Sequence, residues 1–130
     1  MKIFILEDDT FRGKFMVTLL EEVLKEVDFS IVWYTTVQQG EDILIAQKFD
    51  VLCLDHDLGN KVFIPSENEG TGYQLAKFIA SNNIPYKFVI IHSMNYPGAM
   101  KMMGLLKNSI YLPIMLWSVD NLKYLFLKMQ

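Results

Sequence analysis

Five times along this chain a short apolar run gives way to a segment with helical spacing, and that alternation predicts βα units and a parallel sheet. The first run, "IFIL" at residues 3–6, precedes a segment in which Phe11, Phe15, Leu19, Val23 and Val27 recur every fourth residue, the spacing of a helix with one buried face. "SIVWYTT" is β-branched and aromatic, as strands prefer, and "GEDILIAQ" suits a short helix. "VLCL" reads as a strand covered on both faces, "GYQLAKFIASN" as a helix, "KFVII" as the fourth strand, and the Met-rich residues 99–106 as a helix facing the core. "IYLPIML" is the fifth strand, placed at an edge or cut short because Pro113 cannot donate to a sheet ladder, and "VDNLKYLFLKM" closes the chain as a helix. The predicted fold class is α/β: one doubly wound, five-stranded parallel sheet in strand order 2-1-3-4-5, with residues 1–130 forming a single domain.

A chain of 130 residues is long enough to bury a core without disulfides or a structural metal. Its formal charge of -3 argues against a broad basic face for duplex DNA or an anionic membrane, since such binding rests on neutralising many phosphates. Cys53 is the one cysteine and lies inside an apolar run, so no internal disulfide forms and a buried, inert thiol is expected. The N-terminal "MKIFILEDD" has too short an apolar stretch for a signal peptide, and no later run approaches membrane-spanning length. A cytoplasmic protein is expected. The longest loop runs over residues 60–70, "NKVFIPSENEG", a length at which loops in compact domains are often functional.

In open α/β sheets, ligands bind outside the carboxyl ends of the strands, near the point where strand order reverses. Three of the five expected strands end there in polar clusters: Glu7, Asp8 and Asp9 after the first, Asp55, His56 and Asp57 after the third, His92, Ser93 and Asn95 after the fourth. Both histidines of the chain fall in this set. Carboxylates brought so close need raised pKa values or a bound cation. An all-oxygen set favours Mg²⁺ or Mn²⁺, and an added imidazole shifts the preference toward Mn²⁺ or Zn²⁺. A plainer reading stands beside this one: Asp9, Thr10, Thr71 and Ser93 are all residue types that cap helices.

The stretches "IFILEDD", "GEDILIAQKFDVLCLDHDLG", "GTGYQLAKFI" and "FVIIHSM" resemble, in order and spacing, the receiver domains of response regulators. That resemblance implies Mg²⁺ held by Glu7, Asp8 and Asp55, with Asp55 in the phosphoacceptor position and Ser93, beside His92, in the hydroxyl position. The sequence departs from the pattern where a Lys should end the fifth strand, because "IYLPIMLW" has none. The motifs "DHDLG" and "HSMN" are similar to those of a divergent branch, the cyclic-phosphate processing receiver domains, for which a role at cyclic phosphate ends of nucleic acids is proposed.

The chemistry this implies is metal-dependent phosphodiester hydrolysis or rearrangement. A divalent cation, Mg²⁺ or Mn²⁺ ahead of Zn²⁺, would be held by Glu7, Asp8 and Asp55, with Asp57 either a further ligand or the group that orients an imidazole, and would gather negative charge in the transition state. His56 and His92 would act with Asp55 as the catalytic set, the two imidazoles sharing the acid and base roles. Arg12, Ser93 and Asn95 would bind the substrate, a nucleotide or RNA end with a cyclic phosphate. The alternative is a non-catalytic receiver-like module for binding or regulation, because folds of this kind host unrelated functions. The two readings differ geometrically: the enzyme needs both imidazoles at one phosphate position, whereas the module needs only Asp55 and the acidic pair.

Overall fold

The computed structural model of the chain describes residues 1–59 and 63–129. Strands and helices alternate as β1 (Lys2–Leu6), α1 (Thr10–Val23), β2 (Ser30–Tyr34), α2 (Val37–Ala46), β3 (Val51–Leu54), α3 (Gly72–Ser81), β4 (Phe88–Ile91), α4 (Tyr96–Leu105), β5 (Ser109–Tyr111) and α5 (Val119–Lys128). All strand pairs are parallel and the sheet order is β2-β1-β3-β4-β5, as the βα alternation predicts.

Alternate side chains of the central strands feed two cores. Phe4, Leu6, Leu52, Leu54, Val89 and Ile91 pack with Leu44 of α2, Leu75 and Ile79 of α3, and Met102 of α4. Ile3, Ile5, Val51, Cys53, Phe88 and Ile90 face the other way, onto Met16 and Leu20 of α1 and Leu122 and Phe126 of α5. With both faces covered, β3 and β4 are buried at every residue, the reason "VLCL" and "FVII" carry no alternation.

Three local expectations need correction or refinement. The stripe Phe11, Phe15, Leu19, Val23, Val27 is not the buried face of α1: Phe11 is 80% exposed, and Gly13, Met16 and Leu20 face the core instead. A stride of four drifts by about 40° per step on a 3.6-residue helix, so five such residues spiral off one face. The rotation of α1 is set by Gly13, where a Cβ would lie 1.9 Å from Cζ2 of Trp33, so the helix can seat against the indole only through a glycine. The fifth strand lies at the sheet edge and is cut short before Pro113, as the proline predicts, so "IYLPIML" is not strand throughout. β5 stops at Tyr111, and Pro113 opens a single 3-10 turn, Ile114–Leu116. The second helix starts earlier than "GEDILIAQ", because Thr36 and Gln39 form a capping box ahead of it.

Among the described residues no helix is long and apolar enough to cross a membrane. The start of the long loop, residues 60–62, lies outside the described residues.

Candidate functional site

The register of the sheet builds the site. Leu6 pairs with Leu54, and Leu54 with Ile91, so the next residue on each of three adjacent strands, Glu7, Asp55 and His92, emerges at one level. The ladder continues one step further, with Asp55 N donating to Leu6 O (3.2 Å) and His92 N to Leu54 O (3.1 Å). All three side chains are buried, and each offers one ligand atom within 4.8 Å of the other two. Gly72 fixes the height of Asp55: a Cβ there would lie 1.7 Å from the Asp55 carbonyl oxygen, so the first residue of α3 rests directly on the backbone of the turn.

Arg12 reaches into this group from the first turn of α1. Its Nε and Nη2 donate to the two carboxylate oxygens of Glu7, each at 3.1 Å, in the parallel fork that a guanidinium and a carboxylate share. The same guanidinium lies 3.8 Å from Asp8, 3.8 Å from Asp9 and 4.0 Å from Asp55. Glu7 Oε2 also accepts from the Asp9 amide at 3.0 Å. Asp9 is the helix cap, accepting from Phe11 N, so the plainer reading of that residue holds.

The electrostatics follow from burial. Desolvation holds the Glu7 carboxyl above its ordinary range despite the hydrogen bonds from Arg12 and the Asp9 amide. Asp55 is pushed up further, by burial first and by the Glu7 charge second. His92 is driven down to about 3, because burial disfavours the imidazolium more than the Leu6 carbonyl supports it. It is therefore neutral at physiological pH. Its Nδ1 lies 3.6 Å from Glu7 Oε1, and its Nε2 has no hydrogen-bond partner among the described residues. An orphaned buried nitrogen beside two crowded carboxylates is a donor set that fits a divalent cation.

The cleft over these groups has a volume of about 120 Å³ and is lined by Glu7, Arg12, Asp55, Asp57, His92, Ser93, Met94 and Ile114. The position past β5 is thus apolar, Ile114, and the one cation lining the cleft among the described residues is Arg12, from the opposite side of the sheet edge. Ser93 Oγ accepts from the Asn95 amide (3.0 Å), and such a hydroxyl retains a proton to donate.

His56 is elsewhere. Its ring is fully buried under α4, where a Cβ on Gly98 would lie 2.5 Å from its Cδ2. Nδ1 lies 2.7 Å from Asp57 Oδ1 and Nε2 lies 2.9 Å from Ser66 Oγ, an arrangement satisfied by Nδ1–H donating to the carboxylate and the serine hydroxyl donating to Nε2. Asp57 accepts also from Asn95 Nδ2 (3.1 Å) and from the Phe63 amide (2.6 Å). Burial raises the Asp57 carboxyl, but these hydrogen bonds outweigh it and leave the group below its ordinary value. Asn95 Oδ1 meanwhile caps α4 through Gly98 N at 3.0 Å. The structure thus brings together Glu7, Arg12, Asp55, His92 and Ser93, with Asp8 joined to them through Arg12. It sets His56 and Asn95 apart, as a latch that ties the β3–α3 loop to the start of α4, with Asp57 at the border between latch and cleft.

The model of the cyclic-phosphate processing receiver domain matches residues 3–108. The chain belongs to that family. A comparison with curated proteins returned no match. Solved structures share the fold. The N-terminal domain of an uncharacterized protein from Wolinella succinogenes is 18% identical with a TM-score of 0.74, covering 99% of this chain and 93% of that one. The response regulatory domain of a protein from Klebsiella pneumoniae is 18% identical with a TM-score of 0.73, covering 99% and 94%. A CheY-like response regulator receiver domain from Methylobacillus flagellatus is 13% identical with a TM-score of 0.70, covering 100% and 98%.

Proposed function

We propose that this receiver domain is a binding module whose acidic cleft takes a divalent cation and, beside it, a phosphate group. The observation that carries the reading is the convergence of Glu7, Asp55 and His92 from three neighbouring strands to within 4.8 Å. Two carboxylates and an imidazole suit Mn²⁺, with Mg²⁺ next, because Mg²⁺ prefers oxygen donors and water. The cation would neutralise the crowded carboxylates and offer positive charge to a phosphate oxygen. The Ser93 hydroxyl and the Arg12 guanidinium are the neighbouring donors for the other oxygens. At about 120 Å³ the cleft admits a phosphate group and leaves the rest of a ligand outside, since pockets that enclose a drug-sized molecule run to about 300–1,000 Å³. The family's description makes a nucleotide or RNA end with a cyclic phosphate the ligand class to test first.

Hydrolysis is the second reading, favoured by the unpartnered Nε2 of His92. It asks one neutral imidazole to do what was expected of two, because both ring nitrogens of His56 are engaged by Asp57 and Ser66. The experiment is calorimetric titration of a 2′,3′-cyclic nucleotide into protein with Mn²⁺ or Mg²⁺, followed by ³¹P NMR of the Mg²⁺ sample, since paramagnetic Mn²⁺ broadens the phosphate signal. Cation-dependent binding with an intact cyclic phosphate is the expected result. Turnover abolished by His92→Ala moves the assignment to the hydrolase. Neither binding nor turnover removes the proposal.

A further inference from the structure

Arg12 stands where a cation would stand. Its guanidinium is within 4.0 Å of four carboxylates, those of Glu7, Asp8, Asp9 and Asp55, and it donates to both oxygens of Glu7. With the Asp9 amide on Oε2 as well, the Glu7 oxygens are already engaged. A divalent cation cannot take Glu7 while the guanidinium holds that position, because two positive groups would share one small acidic site. Arg12 is also free to leave: its side chain is 43% exposed and sits in the first turn of α1, whereas Glu7 is fully buried and cannot follow.

We propose that Arg12 is an exchangeable counter-ion, which neutralises Glu7 in the cation-free cleft, yields to a divalent cation, and then serves as the phosphate donor. The inference rests on the reading of the cleft as a cation and phosphate site and adds the order of events. The fork that fits a carboxylate fits a phosphate equally well. Exchange therefore makes phosphate binding conditional on the cation: before it arrives the guanidinium is spent on Glu7, and afterwards it is released at the mouth of the same cleft.

Arg12 is the only arginine in the chain, so its Nε–Hε NMR signal is assigned by inspection. Mg²⁺, which is diamagnetic, is titrated into the wild-type protein, and then inorganic phosphate, with backbone amides near Glu7 and Asp55 reporting cation binding independently. The expected result is movement of the Nε–Hε signal from a hydrogen-bonded to a solvent-exchanging position with Mg²⁺, and a second shift with phosphate. Calorimetry on Arg12→Gln should show Mg²⁺ bound about tenfold more tightly, from loss of a competing charge-assisted pair, and phosphate bound more weakly. Arg12→Lys, which keeps the charge without the fork, should fall between the two for Mg²⁺. Mg²⁺ binding seen at the backbone amides with the Arg12 signal unmoved overturns the exchange and leaves the cation reading standing. Equal or weaker Mg²⁺ affinity in Arg12→Gln overturns it as well. Absence of Mg²⁺ binding in wild type and both variants overturns the cation reading, and the exchange with it. Binding in Arg12→Gln alone overturns the exchange as well, because the guanidinium then blocks the cation without yielding to it.

Discussion

Replacing Asp55 with Asn should stabilise the cation-free protein while weakening the site. The Asp55 side chain is 7% exposed, and ligand atoms of Asp55 and Glu7 lie within 4.8 Å. Two unit charges at that separation repel by about 3.5 kcal/mol at an effective dielectric of ~20. Arg12, 4.0 Å from Asp55 but 43% exposed, offsets part of this, since solvent screens its charge. Asparagine keeps the oxygen that accepts from His56 N (2.8 Å) and removes the repulsion along with the desolvation of a charge. A net gain of about 1–2 kcal/mol is expected, which for a domain of this size raises Tm by about 4–8 °C in chelator. Asp55 is raised in the folded state, so its carboxyl costs stability above its folded pKa and none below its unfolded one. The advantage of Asp55→Asn should therefore shrink as pH falls from neutrality toward the ordinary carboxyl range. Mn²⁺ should reverse the ranking by stabilising wild type alone. The assay is differential scanning calorimetry of both proteins with chelator and with Mn²⁺. An Asn variant less stable than wild type in chelator would show that the carboxylates do not crowd.

His56→Ala should cost about 2–3 kcal/mol by stranding Asp57 and Ser66, yet leave Mn²⁺ affinity in the remaining folded protein within about threefold, measured by melting and calorimetry on one preparation. Gly72→Ala should cost at least about 2 kcal/mol, since its Cβ would lie 1.7 Å from the Asp55 carbonyl oxygen, and should weaken the cation site as well; equal melting curves would show that the α3 start does not set the height of Asp55. Small phosphodonors should leave no long-lived phospho-Asp55 by intact mass, because Ile114 rather than a cation lines the cleft beyond β5. Cys53, whose thiol burial pushes up, should react with thiol reagents only at the rate of global opening.

Strand order and the level of the site were legible because both depend on patterns that survive in one dimension. Glu7, Asp55 and His92 each follow the last buried residue of a strand, so parallel pairing alone aligns them. The rotation of α1 was not legible, since it depends on Gly13 meeting Trp33, a contact between residues twenty apart that no helical period records. The role of His56 was hidden for a related reason. "DHDLG" and "HSMN" place two imidazoles past neighbouring strands, but whether a ring faces the cleft or the loop depends on Ser66 and Gly98, which sit on other segments. The signal available was "YPGAM": a glycine in the first turn of α4 leaves room for a ring beneath it.

A cation and a phosphate are expected to meet in the cleft of Glu7, Asp55 and His92 while His56 stays in its latch. The most direct test is a crystal grown with Mn²⁺ and a 2′,3′-cyclic nucleotide, with anomalous scattering marking the metal. The expected result is a manganese peak bounded by Glu7 and Asp55, the phosphate beside it facing Arg12, and His56 still hydrogen-bonded to Ser66. A phosphate held between the rings of His56 and His92, or no manganese in the cleft, would contradict it.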